Sequence, residues 1–328
     1  MAHQLNFRNG QASMMYIGAE PWHALGTKLP KLATSAEAIV AAQLDYEVKK
    51  VPIFVHPADR NSALVSVDGK FATMRMDTGE VLGVVGGQYT VLQNKDAFGF
   101  FDSITGEGEA MFETAGALYA GETVWMLAKM PDYIDLGDND RIGKYLLLTN
   151  THDGSRAVRA MFTPIRVVCN NTLNIALGQG FKGNITIRHS ASVKSRVAEA
   201  GRLMGIMNKV YAQVEEMYKR MTLKKFTGDD VVKYVKTLIP DNKEAETSTR
   251  TNNIRSEISE LIIHGEGASL GTAKGTLWGA YNGLTEYVDH VRGASAKSAD
   301  KRLESIWFGS GSRLKQDAFD LACELVKK

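Results

Sequence analysis

Arg166, Asn170 and Asn174 recur at steps of four in the stretch 165–177, with Asn171 beside them. On an α-helix that spacing puts the three on one face. Asparagine inside a helix costs roughly half a kcal/mol against alanine, so the amides point to work: contacts with phosphates or bases, or hydrogen bonds to neighbouring loops. Lys144, Arg156, Arg159, Lys182, Arg188, Lys194 and Arg196 surround this face in sequence. Alternation along a strand at 156–163 sets Arg156 and Arg159 on opposite faces, so the two do not line one groove together. Tyr145, Phe162, Phe181 and Trp125 are placed to stack on bases or to fill a core. The chemistry expected of the set is recognition of a nucleic acid or another polyanion. The competing reading is a polar network that ties helix to sheet.

Other chemistry is weaker. Residues 178–183 (GQGFKG) match the dinucleotide fingerprint by letter, but they follow an expected helix and precede an expected strand, the reverse of what that chemistry needs. Residues 265–276 (GEGASLGTAKGT) do not fit phosphate-loop spacing and read as a loop into a helix with Thr276 as its N-cap. The histidines are His3, His23, His56, His152, His189, His264 and His290, and none falls in a zinc-type cluster with Cys169 or Cys323. A Cys169–His152 nucleophile pair competes with a buried structural thiol, since Cys169 shares an apolar stripe with Ile165, Val168, Thr172 and Ala176. The acidic pairs Asp138/Asp140 and Glu107/Glu109 lie in expected turns and read as solvated. No catalytic residue, metal or cofactor is expected.

The chain has 328 residues, 44% hydrophobic and 23% charged, a composition that excludes collagen and disordered chains. A chain of this size buries roughly three quarters of its unfolded surface. No apolar run reaches membrane-spanning length, and the opening MAHQLNFRNG lacks a secretion-signal pattern. Two cysteines, 154 positions apart, suit a reducing cytoplasm. The net charge of +2 conceals an asymmetry. Residues 1–140 hold 10 Lys/Arg and 18 Asp/Glu (−8), residues 141–236 hold 17 and 6 (+11), and residues 237–328 hold 12 and 13 (−1). A segment at +11 binds polyanions or docks on the acidic first block.

These residues need elements to hold them. Strands are expected at 46–55, at 63–67 and 71–76 around the turn Asp68-Gly69, and at 81–85 after Asp77-Thr78-Gly79. Residues 89–92 extend that pattern, and 94–103 form a short helix. Hairpins follow at 113–119 with 123–129 and at 144–151 with 156–163. Pro164 suits the first turn of a helix at 165–177 and Gly178 its end. A short strand at 184–189 comes next, and from Ser192 the chain reads as helical, with a polar interruption at 241–253. Val193, Val197, Ala200, Met204, Met207, Tyr211, Val214, Tyr218 and Met221 alternate steps of four and three. That is a 3.5-residue repeat, over a helix of roughly 45 Å, for an oligomer seam or for packing within the chain. Leu277, Tyr281, Leu284, Val288 and Val291 form a buried stripe. The expected fold class is α+β: an antiparallel sheet of hairpins with packed helices at 1–190, then a helical region at 191–328.

Several stretches resemble one family. They are Pro21 to Gly26 (PWHALG), Val84 to Tyr89 (VVGGQY), Val91 to Asn94 (VLQN), Thr151 to Ser155 (THDGS), Ile165 to Leu173 (IRVVCNNTL), Gly275 to Asn282 (GTLWGAYN) and Thr285 to His290 (TEYVDH). Together the chain resembles the phage/plasmid-like protein family built on a domain of unknown function, number nine hundred and thirty-two in its series. The resemblance implies a gene of a mobile element acting in a bacterial cytoplasm, without an enzymatic activity. A fold-level similarity to single-strand annealing proteins of the Redβ/RecT kind implies an oligomer that holds single-stranded DNA in a basic groove. The expected function is therefore single-stranded DNA binding, with annealing of complementary strands. The alternative is an assembly or counter-defence factor that binds protein partners.

Overall fold

The computed structural model describes residues 5–18, 24–57, 59, 62–105, 111–166, 168, 171–172, 184–195, 207–241, 248–293, 305–306 and 309–327. The amino-terminal strands are β1 (Phe7–Arg8), β2 (Gln11–Ala12), β3 (Met14–Ile17) and β4 (Thr27–Leu29), followed by helix α1 (Ser35–Ala41). Thr34 and Glu37 form a capping box at the start of α1, which satisfies amides that the helix itself cannot.

A small antiparallel sheet comes next, made of β5 (Val48–Val55), β6 (Val65–Arg75) and β7 (Val81–Gly86). Its 76–80 turn contains Asp77-Thr78-Gly79 as expected. Asp68-Gly69, however, does not turn the chain. Strand β6 runs through both residues, and the pairing jumps from Pro52↔Phe71 to Phe54↔Ser66. Residues 67–70 are therefore a wide bulge, with Gly69 at φ 65°. Turn chemistry was present, but β5 claims a partner along its whole length and bends the turn residues into a bulge. Residues 89–92 are not a strand either. Their carbonyls go to side chains: Lys50 donates to Tyr89 O and Asn150 to Leu92 O. The side-chain amide of the next residue, Gln93, accepts from the Val48 N–H and donates to the Val48 carbonyl.

Helix α2 (Asn94–Thr105) leads into the main meander, β8 (Met111–Leu118), β9 (Thr123–Asp135), β10 (Arg141–Thr151) and β11 (Val158–Phe162). Among the described residues the main sheet has nine strands, and β10 is its pivot. Along one edge of β10, Leu146 to Thr149 pair with β11, while Ile142 and Gly143 pair with β12 (Ile165–Arg166). Strand β13 (Asn171–Thr172) continues from β12, and β14 (Asn184–Ile187) borders β11. The helix expected at 165–177 is thus overturned where it can be seen. The unpaired start of β10 offers a ladder to Ile165 and Arg166, and the chain returns at Asn171. Both faces of the sheet are covered. Leu146 and Leu148 join Phe112, Met126 and Ala128 in the larger core, whereas Leu147 and Tyr145 join Met14, Tyr16, Trp125 and Leu127 in a second one.

The helical region comprises α3 (Met207–Leu223), α4 (Asp229–Leu238), α5 (Thr249–His264), α6 (Leu277–Glu286), a π-helical turn at Tyr287–Val291, and α7 (Ser310–Lys327). Thr276 caps α6 by accepting from the Gly279 amide, as its sequence predicts. The described part of the 3.5-residue repeat packs within the chain. The Tyr211 hydroxyl donates to Tyr145 O at 3.3 Å, and the Tyr218 ring lies 4.8 Å from Trp278 and 5.9 Å from Phe319. Val193 is buried too, while Val197, Ala200 and Met204 lie outside the described residues. One core cluster contains sheet residues such as Met126 and helix residues such as Trp278. The architecture is α+β.

A basic sheet edge and the buried polar cluster behind it

Strand β10 ends in a polar cluster. His152 is fully buried, its amide donates to Glu122 O, and its Nε2 lies 3.0 Å from Asn94 Oδ1. Asn94 spends its own amide N–H on Leu44 O, so its oxygen is free to accept and the Nε2–H tautomer of His152 follows. Asn150, two residues earlier and on the same strand face, donates to Leu92 O. Opposite them Tyr89 donates to Thr151 O and stacks on His189, with ring centroids 4.7 Å apart. His189 is tied twice to Thr90, through its carbonyl and through Nδ1. His152 Nδ1, His189 Nε2 and Asn150 Oδ1 have no protein partner. Space here is tight: a Cβ on Gly83 would lie 2.5 Å from Asp153 Cα.

Burial pushes the His152 imidazole down to about 3, with help from His189 and Arg75. Burial also lowers His189, against the Thr90 hydrogen bond. Both rings are neutral at pH 7, and His152 is too weak a base for proton transfer there. The cluster is a rigid polar support. It has a consequence for stability. A base whose folded pKa lies below its unfolded value of 6.5 binds fewer protons in the fold, so stability falls as pH drops through 6.5 towards 3. From pH 7 to pH 5 the unfolding free energy should fall by about 2 kcal/mol on account of His152. Urea melts at both pH values check this, and His152→Gln should flatten the difference. An equal loss in the variant would refute the assignment.

The sequence-predicted binding residues divide into three groups. Arg159 lies opposite Thr149 on β10 and Thr186 on β14. Arg188, two residues beyond Thr186, is exposed and falls on the same face. Arg156 precedes β11 in the 152–156 turn, where its carbonyl accepts from Thr151 Oγ1. Arg159 and Arg188 thus share one face at the outer edge of the sheet, with Arg156 at the turn that leads into β11. Lys194 is close in sequence and 66% exposed, with its ammonium 2.9 Å from Asp96. Lys144 sits apart, five residues or roughly 17 Å along β10 from the Arg159 rung, with its ammonium 5.2 Å from the Tyr211 ring centre. Arg166 pairs with Asn171 in the β12–β13 ladder, so the helical face of Arg166, Asn170 and Asn174 is not formed. Asn170, Asn174, Lys182 and Arg196 lie outside the described residues, as do Cys169, residues 178–183 and the Glu107/Glu109 pair.

Asp140 corrects another expectation, whereas Asp138 is exposed as expected. Asp140 is fully buried, and its Oδ2 accepts from the Trp278 indole at 2.8 Å and from Thr272 Oγ1 at 2.7 Å. Asp138 accepts from the Gly271 amide. The turn between β9 and β10 is thus a clasp on the loop before α6, because that loop brings donors that outbid water. The other cysteine, Cys323, is half-buried, and burial pushes its thiol up to about 12, which leaves it unreactive. A depression of about 370 Å³ beside α1 is lined by Asp45 and Glu47 as well as Lys95, a charge balance that disfavours phosphate.

Sequence spacing did not find the polar cluster, because its side chains come from three separate segments, 89–94, 150–152 and 189. The signal was the family stretches: Tyr89, Asn94 and His152 all belong to them. The protein is of the α+β class, with this polar cluster buried at the end of β10. A family model described as a domain of unknown function (DUF932) matches residues 81–307, 227 of the 328 positions, and the chain belongs to that family. No curated protein and no solved structure matches it. Among the described residues no group of three or more His, Cys, Asp or Glu side chains is arranged to hold a metal, and no helix is long and apolar enough to cross a membrane.

Proposed function

We propose that this protein binds single-stranded nucleic acid, DNA in the first place, along the outer corner of its main sheet. The observation that carries the reading is the shared face of Arg159 and Arg188 on the β11–β14 edge, with Arg156 at the adjoining turn. Guanidinium groups bind phosphate oxygens in a fixed fork. Lys194 adds a cation whose exposed pairing with Asp96 is worth little and yields readily to a phosphate. The stacked Tyr89–His189 pair and the double tie to Thr90 hold the chain beside Arg188 in place. Annealing of complementary strands, as by the Redβ/RecT proteins, belongs to the same proposal.

Fluorescence anisotropy with labelled single-stranded and duplex DNA across a salt series tests it. Affinity for the single strand should fall steeply with salt, through counterion release. Arg159→Ala with Arg188→Ala removes two phosphate contacts and should reduce the slope of log affinity against log salt by about 1.4. Lys49→Ala, on the small sheet, should leave it unchanged. Absence of binding at low salt would end the reading.

A further inference from the structure

The turn after β7 contains glycines that the fold does not require. Gly86, Gly87 and Gln88 are all exposed. Neither glycine has the left-handed backbone that calls for one. A Cβ on Gly86 would meet nothing within 4 Å, and one on Gly87 only the edge of Phe71 at 3.9 Å. Glycines at such positions leave the backbone open to close approach from outside the chain. The turn is nevertheless pinned. The Tyr89 amide donates to Gly86 O at 3.2 Å, and the Lys50 ammonium donates to Gly87 O and Tyr89 O at 2.6 and 3.1 Å. A trans peptide points its N–H away from its C=O, so with Gly87 O turned to Lys50 the Gln88 N–H is aimed the opposite way. It meets no acceptor: among the described residues Gln88 makes no hydrogen bond through backbone or side chain.

Cations flank this free donor. Lys70 stands opposite Gly86 in the β6–β7 ladder, so its side chain leaves the sheet on the side of the open space over Gly86. Neither Lys70 nor Arg188 has an ion-pair partner among the described residues, and the one acid of β6, Asp68, does not pair with Lys70. The far limb of the turn is fastened beside β14, where the Thr90 amide donates to His189 O at 3.1 Å and Tyr89 stacks on His189. Gln88 is thus two residues, at most about 7 Å of chain, from the contact with the residue that follows Arg188. We propose that the Gly86–Gln88 turn takes a phosphate group of the bound strand, on the Gln88 amide with Lys70 beside it, next along from Arg188. Any acceptor would satisfy the amide; Lys70 in front and Lys50 behind favour a negatively charged one, as with other anion-binding turns. The inference rests on the nucleic-acid reading and extends that surface from the main sheet to the small one.

Fluorescence anisotropy of the full chain with labelled oligothymidine, across a salt series, tests it. Lys70→Ala should reduce the slope of log affinity against log salt by about 0.7, the value of one phosphate on a single strand. Lys49→Ala, an equal loss of charge on the same sheet, should not. Gly86→Asp places a carboxylate in the open space and should weaken affinity about fivefold at low salt, with its urea melt close to that of wild type. In NMR spectra of wild type the Gln88 amide should shift on addition of oligothymidine, and far less with inorganic phosphate at the same phosphate concentration. Wild type that binds while Gln88 stays unmoved and both variants keep its affinity overturns this inference alone. Wild type that does not bind overturns it together with the nucleic-acid reading. A Gln88 amide that answers inorganic phosphate as strongly as oligothymidine overturns it too, because the turn then serves a free anion.

Discussion

Lys315→Ala should lower the unfolding free energy by about 3–5 kcal/mol, the range found when one member of a buried ion pair is removed. The Lys315 side chain is 1% exposed and that of Asp289 5%, with the ammonium 2.8 Å from Oδ1. Asp289 lies in the π-helical turn at Tyr287–Val291, and π-helical turns widen the backbone where a side chain has to be re-aimed. Here that side chain reaches α7. Alanine at 315 takes the cation from a carboxylate that water barely reaches. The double replacement Lys315→Met with Asp289→Leu should recover most of the loss, because apolar side chains of similar size need no solvation. Equilibrium urea unfolding at pH 7 measures both. A cost under about 1 kcal/mol for Lys315→Ala, the value of a surface pair, would show that α7 does not bury this pair.

Arg75→Ala should be comparably severe. Arg75 is fully buried, and its Nη1 donates to Asn6 Oδ1 and to Ala120 O. Its Nε and Nη2 grip Asp77, and its guanidinium carbon lies 3.9 Å from the Tyr46 ring centre. One side chain thereby joins the small sheet to the strand turn after β8 and to the amino-terminal segment. Its removal takes a donor from Ala120 O, from Asn6 Oδ1, which keeps Ser13, and from Asp77, which keeps Arg8, and with the lost packing on Tyr46 a total of about 3 kcal/mol is expected. Arg75→Lys should rescue little, since an ammonium has no fork to span these partners. Acid separates this from a packing defect. Burial by itself would raise the Asp77 carboxyl, but the hydrogen bond and charge of Arg75, together with Arg8, hold it below the ordinary 3.8. That contribution is present above the unfolded value and lost as pH falls through the folded one. The gap between wild type and Arg75→Ala should therefore narrow below about pH 4. A gap that stays constant in acid would count against the pairing.

Local chemistry was legible wherever a short segment decides its own conformation. Gly121-Glu122, the 152–155 turn and Asp77-Thr78-Gly79 all turn the chain where the sequence places them, and Thr276 caps its helix. It failed where a distant strand had a stronger claim. Asp68-Gly69 carries the letters of a hairpin, yet β5 pairs on both sides of it. Residues 165–177 have a helical rhythm, yet the open start of β10 takes Ile165 and Arg166. The same holds for the candidate site. Arg159 and Arg188 were recognisable as cations, but their common face depends on a β11–β14 register that no spacing encodes. His152 was one histidine among seven, since its partner Asn94 is 58 positions away. Asp140 looked solvated because the indole that buries it comes 138 residues later.

That last interval has a meaning in time. A ribosome adding about 5–20 residues per second delivers Trp278 roughly 7–28 s after Asp140. During synthesis the β9–β10 turn therefore waits, its carboxylate still hydrated, while the meander around it already has every strand it needs. Closing the clasp has to await Thr272 and Trp278, whose donors take the place of water at Asp140. The nascent sheet thus carries an open acidic latch, and the carboxy-terminal helices complete the molecule by shutting it.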